Sequence, residues 1–208
     1  MEIRLLPLRY WMQMAAWAII VHTLGALAID YLAWKLGFVY EIMAGQLLLL
    51  AGGGWLLIVL LFPLWRMRRF GYLDPIRIIL WVLGVSIVSA PVKAIGERLM
   101  EPALRSEYEA YPEKRAAALR AYFRAQSESG RVDIPLEQRE TIIRQQIDLY
   151  QAYRERQKHL GYAIVDRLKI LSILGIIYGL ILGLLMRGGG ISGGYAPAAS
   201  AKSANNAE

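Results

Sequence analysis

Long apolar runs separated by short charged segments fill the first 96 residues, and one more such run closes the folded part of the chain. Four runs stand out. The first, 10–29, is interrupted by Gln13, His22 and Thr23; the second, 47–65, carries no polar side chain at all. The third, 78–92, holds Ser86, Ser89 and Pro91, and the fourth, 170–186, is studded with glycine. A helix crossing hydrocarbon needs about 20 residues, within a range of roughly 17–25. The second run meets that length outright, and the first and fourth meet it within tolerance. The third reaches it only by drawing in Ile76 or Ala94 and Ile95, and otherwise reads as a buried or re-entrant helix.

Between the third and fourth runs the pattern changes. Residues 113–126 are rich in Ala, Leu, Arg, Lys and Glu, which predicts a helix on propensity, with Pro102 and Pro112 breaking the chain before it. A loop at 127–133 follows, and Pro135 marks the start of a second helix. There Leu136, Ile143, Ile147 and Tyr150 recur at helical spacing, so the insert reads as coiled-coil-like. No further proline occurs up to Met186, and Gly161 is the one glycine before Lys169. The second helix is therefore expected to run into the fourth span as a single rod with Gly161 as its soft point. The division expected is a three-span region at 1–96, a polar helical insert at 97–167, a fourth span at 168–187, and a Gly/Ala/Ser-rich tail at 188–208 of disordered composition. The fold class expected is an all-α membrane protein with four transmembrane helices and an extracytoplasmic insert.

Composition agrees. Of 208 residues 56% are apolar, above the about 45–50% of a soluble domain. The net charge of +7 does not make a nucleic-acid face, because the 97–167 segment holds 13 basic and 12 acidic residues. The remaining excess flanks the apolar runs. Arg66, Arg68, Arg69 and Arg77 lie between runs two and three against Asp74, whereas the 33–41 stretch between runs one and two holds one Lys and one Glu. Arg4 and Arg9 precede the first run and Arg187 follows the fourth. By the positive-inside rule both termini are cytoplasmic, the 66–77 loop is inside, and the insert is outside. Tyr10, Trp11, Tyr31, Trp34, Trp65 and Tyr72 fall where the headgroup levels should be. Arg4, Arg9 and the Ala-Leu-Ala at 26–28 also resemble a cleavable signal, although Trp17 and Asp30-Tyr31 fit a span and its interface better.

Glycine and histidine mark the remaining features. Gly175, Gly179 and Gly183 recur at four-residue spacing, a small-residue stripe of the kind that lets membrane helices approach closely. Packing within the chain is the preferred reading over a dimer contact, with Gly52, Gly53 and Gly54 as an opposing surface. His22 falls near the middle of the first span, where ionisable residues are rare. Ser86 and Tyr178 fall at a similar depth, so the three are expected to converge as a polar layer able to pass a proton or hold a headgroup. Asp30 and Lys93 near the outer boundary are expected to snorkel or pair. The Glu-rich stretch from Glu97 to Glu113, with Arg98, Arg105 and Lys114, reads as a solvated face.

The arrangement resembles a small family of bacterial four-pass membrane proteins known as a domain of unknown function. "RRFGYLDPIRIILWV" at 68–82 and the three glycines carry that resemblance over about residues 10–187; the Arg-rich insert and the tail depart from it. It implies a fold and no activity. No cysteine is present, the two histidines build no metal centre, and no phosphate loop or nucleophile motif occurs, so no cofactor is expected. The leading expectation is a non-enzymatic accessory or scaffolding subunit in the bacterial inner membrane, in contact with lipid and with a protein partner or a second copy. A small transporter or ion-conducting oligomer working through His22 is the alternative, and an enzyme acting on lipid-linked substrates is a third.

Overall fold

The computed structural model describes residues 7–68, 73–130 and 134–186. The 188–208 tail, Arg4, Arg69, Tyr72 and Arg187 lie outside them. Six α-helices account for most of the described chain: α1 (Leu8–Lys35), α2 (Ala44–Arg68), α3 (Pro75–Met100), α4 (Arg105–Glu128), α5 (Leu136–Gln157) and α6 (Leu160–Leu185). Short 3-10 turns at Phe38–Tyr40 and Glu101–Leu104 join α1 to α2 and α3 to α4. The chain is an all-α membrane protein. α1, α2, α3 and α6 are long and apolar enough to span, and their outward faces carry Ile20, Leu24, Leu50, Ile58, Leu80 and Leu184 exposed, as contact with lipid requires.

Two boundaries have a clear local cause. Asp74 accepts a hydrogen bond from the Ile76 amide at 3.0 Å, and Pro75 opens α3 where its missing N–H costs nothing. Gly37 closes α1 at φ 73°, a left-handed conformation that favours glycine. The third run is a full-length helix of 26 residues, with Pro91 accommodated inside it.

The four spans pack unequally. α3 and α6 form the most extensive contact, α1 bridges α2 and α3, and α2 barely touches α6. At the end carrying the 66–77 loop the interior is apolar and closed by Leu56, Leu60, Leu64, Ile78, Val82 and Leu182. There Trp81 donates through Nε1 to the Trp11 carbonyl at 3.0 Å, with the two rings edge to face.

Two expectations about the insert are corrected. Pro112 does not precede α4 but lies within it, and Pro102 falls in the 3-10 turn, so helical backbone continues from α3 almost unbroken. The rod from 135 to 186 is interrupted, and not at Gly161. α5 ends at Gln157, and His159 is extended at φ −87°, ψ 112° before α6 begins. The Arg98 guanidinium donates to the Lys158 carbonyl at the break, satisfying an acceptor that a continuous helix would have bonded internally. α4 and α5 therefore form an antiparallel hairpin, with Ala116, Leu119 and Ile143 buried between them, stacked on the α3–α6 pair.

Candidate functional site

The glycine stripe meets α3. A Cβ at Gly175 would stand 2.8 Å from the Ser86 side chain, one at Gly179 3.3 Å from the Ile79 Cα, and one at Gly183 3.4 Å from the Pro75 carbonyl. Pro75, Ile79 and Leu83 recur every four residues on α3, so a ridge of matching period lies in the groove. Gly52, Gly53 and Gly54 are not that opposing surface. Only Gly53 approaches α6, where its Cβ would lie 2.9 Å from the Tyr178 hydroxyl, and nothing lies within 4 Å of a Cβ at Gly52 or Gly54. The physical reason is that α3, not α2, is the neighbour of α6.

His22, Ser86 and Tyr178 occupy separate surroundings. Ser86 faces Gly175 and donates to the Val82 carbonyl of its own helix at 2.9 Å. Tyr178 lies against Gly53. His22 is 2% exposed, and neither ring nitrogen has a hydrogen-bond partner among the described residues. Its backbone carbonyl accepts from Trp55 Nε1 at 3.2 Å, a contact that Gly25 permits because any Cβ there would collide with the indole. No hydrogen bond joins the three residues among those described.

What His22 does face is a cavity of about 340 Å³, within the roughly 300–1,000 Å³ of small-molecule sites. It reaches from His22 past Ala26 and Asp30 to Trp34, about 18 Å along α1 for twelve residues. Its deep half is apolar, with Leu48, Leu49, Gly52, Leu171 and Leu174. Leu49 on α2 and Ile170 on α6 line it while remaining 55% and 39% exposed on the outer surface. The cavity thus opens between α2 and α6, toward lipid.

The shallow half is charged, and its groups are paired. Lys93 meets Asp30 at 3.0 Å and Glu97 at 3.7 Å; Arg167 Nε donates to both Glu97 oxygens at 2.9 and 3.0 Å. Glu101 accepts from Arg98 at 2.8 Å and from Arg154 at 3.2 Å. Above this, Trp34 packs edge-on against Tyr108 at 4.5 Å, and Tyr111 stacks on Tyr150 at 3.7 Å. Burial pushes the Tyr150 hydroxyl above its ordinary value, so the phenol stays neutral. That buried hydroxyl has no partner among the described residues. Lys35 and Glu107, 2.5 Å apart, tie the end of α1 to α4. Among the described residues no three His, Asp or Glu side chains gather as metal ligands would.

The sequence reading missed this mouth. The charge pattern alone reads Glu97, Arg98 and Glu101 as one solvated face with Arg105 and Glu109, of which only the latter two form an exposed pair. A usable signal existed: Lys93, Glu97 and Glu101 recur every four residues and so share a face of α3 continuing into the 3-10 turn. No protein-family model, curated protein or solved structure matches the chain.

Proposed function

We propose that this chain is a non-enzymatic integral membrane protein of the bacterial inner membrane that takes an amphiphile from the outer leaflet into the cavity between α2 and α6. The observation that carries this reading is the change in character along one cavity, apolar at depth and charged at the mouth, with its apolar half open toward lipid. An amphiphile entering sideways keeps its chain in hydrocarbon and brings its head to fixed charges, so neither part meets the wrong medium. An orientation with both termini inside and the hairpin outside is supported by Arg66, Arg68 and Arg77 at the opposite end of the bundle, since basic residues favour the cytoplasmic side.

An accessory role through the α4–α5 hairpin fits this reading, with the hairpin as a cap that a protein partner or a second copy engages. The single long rod that would make a far-reaching scaffold is interrupted at His159. Conduction through His22 is less well supported, because the apolar packing of Leu56, Leu60 and Val82 closes the bundle beyond it.

Lipid retention tests the proposal. The protein purified from membranes in mild detergent should carry stoichiometric amphiphile by native mass spectrometry. Gly52→Trp should fill the cavity and release it without lowering the melting temperature, since a Cβ there meets open space. Equal retention by both proteins would remove the cavity from the function. Cysteines at Ser106 and Ser127 should react with an impermeant thiol reagent in intact cells, whereas one at Ser203 should not; the opposite pattern inverts the topology.

A further inference from the structure

The charges at the mouth do not balance, and the imbalance is local. Five basic side chains and three carboxylates line the cavity. Deeper in, the two cations are fully answered: Lys93 meets Asp30 and Glu97, and Arg167 meets Glu97 and, at 3.2 Å, Asp166. At the mouth a single carboxylate, Glu101, answers both Arg98 and Arg154. Lys158 lies beside them and pairs with Glu155 on the exposed surface, where such a contact is worth little.

Both guanidinium groups are also held by contacts independent of Glu101. Arg98 donates a second nitrogen to the Lys158 carbonyl at the α5–α6 break. Arg154 lies over the Tyr108 ring, 3.8 Å from its centroid. If Glu101 turned away, the two forks would stay in place with their donors free, preorganised for an anion with several oxygens. Below them, the His22 nitrogens, without a hydrogen-bond partner among the described residues, and the apolar wall continue the same cavity toward hydrocarbon.

We infer that the occupant is an anionic phospholipid whose phosphate enters the clamp between Arg98 and Arg154, displacing the Glu101 carboxylate that otherwise bridges them. This rests on the amphiphile reading above and narrows it to one headgroup chemistry. A lipid is favoured over a free anion because the clamp is continuous with an apolar compartment that opens sideways between α2 and α6. Glu101 is then an internal competitor, which fixes the sign of its substitution. Removing it leaves two forks unanswered and tightens binding, the reverse of what loss of a merely structural ion pair would do.

Full-length protein, stripped of lipid in detergent, is titrated with dioleoyl phosphatidylglycerol, dioleoyl phosphatidylcholine or inorganic phosphate, and bound ligand is read by native mass spectrometry. The phosphatidylglycerol should bind about tenfold more tightly than the phosphatidylcholine. Arg154→Gln should erase that preference, Glu101→Gln should enlarge it, and Arg105→Gln, outside the cavity, should leave it unchanged. Arg98→Gln gives a second reading where Arg154→Gln lowers the melting temperature. Equal binding of the two lipids, or Glu101→Gln weakening the anionic one, overturns the headgroup assignment while leaving the amphiphile reading standing. Binding of inorganic phosphate with neither lipid retained overturns both.

Discussion

Asp30 and Lys93 meet at 3.0 Å between α1 and α3, two turns of α1 beyond the buried ring of His22. Their side chains keep 30% and 18% of their exposure, so the pair lies at the margin of the apolar layer, not deep within it. Breaking a fully buried pair costs about 3–5 kcal/mol, because one charge is left uncompensated. Partial exposure, and Glu97 as a second partner for Lys93, reduce that here to about 1–3 kcal/mol. Lys93→Met should therefore lower the melting temperature in detergent, and Asp30→Asn with Lys93→Met should recover most of the loss. A double variant no better than the single one would show that the pair is not the coupled unit.

The glycine groove predicts a contrast between two glycines. Gly179→Leu must displace the α3 backbone at Ile79, whereas Gly54→Leu enters open space. The first should destabilise by several kcal/mol, as overpacking a close interface does, by about 1–3 or more. The second should stay within about 0.5 kcal/mol. Comparable melting temperatures for the two variants would leave the stripe without a packing role.

The α5–α6 joint predicts a distance. Spin labels at Gln145 and Ser172 would be about 40 Å apart on a straight helix of 27 residues. With the break at His159 the distribution should centre well below that value, and Gly161→Ala should not move it, because Gly161 lies in the first turn of α6 with open space around it. A narrow peak near the straight-helix value would restore the continuous rod.

These elements show what the sequence could and could not disclose. Three spans follow from run length, since hydrocarbon tolerates few alternatives to a helix, and the third needs its flanking residues, while Asp74-Pro75 marks its start by local chemistry alone. The partner of the glycine stripe was not legible. The sequence offers the small residues Gly52–Gly54 as well as the period-four row Pro75-Ile79-Leu83 as surfaces for the α6 stripe, and tertiary arrangement alone chooses between them. The break at His159 carries no Gly or Pro, and the Lys158 carbonyl there is satisfied by Arg98, sixty residues away in sequence. The cavity mouth combines 3-10 turn, hairpin and span residues, a set that no periodicity brings together.

The hairpin has a pH dependence of defined sign. Arg120 donates to both Glu140 oxygens at 2.9 Å and holds that carboxyl below the ordinary carboxylate value. A depressed folded value means the contribution is present above the unfolded value, about 4.3, and is lost as pH falls through the folded one. Amide exchange in α4 and α5, corrected for its intrinsic rate, should be level between pH 8 and pH 5 and quicken in more acid solution. Glu140→Gln should flatten that change. An acid limb undiminished in the variant would assign it to another carboxylate.

His22 supplies the sharpest separation of structure from function. A buried polar group without a partner costs about 1–3 kcal/mol, and replacing it by an apolar side chain of similar size returns some of that. Both ring nitrogens of His22 are in that condition among the described residues, and the ring borders the cavity. In the lipid-stripped protein, His22→Leu should therefore raise the melting temperature by a few degrees, since about 1 kcal/mol shifts a protein of this length by roughly 2–4 °C. If the cavity holds an amphiphile that hydrogen-bonds to the imidazole, the same variant should bind phosphatidylglycerol more weakly, and His22→Gln, which keeps a donor and an acceptor, should recover part of that affinity. Stability and binding then move in opposite directions, as they do when a group is kept at a cost to the fold because a ligand completes it. A stability loss in His22→Leu would mean that the ring already has a structural partner, and unchanged lipid affinity would remove it from the site.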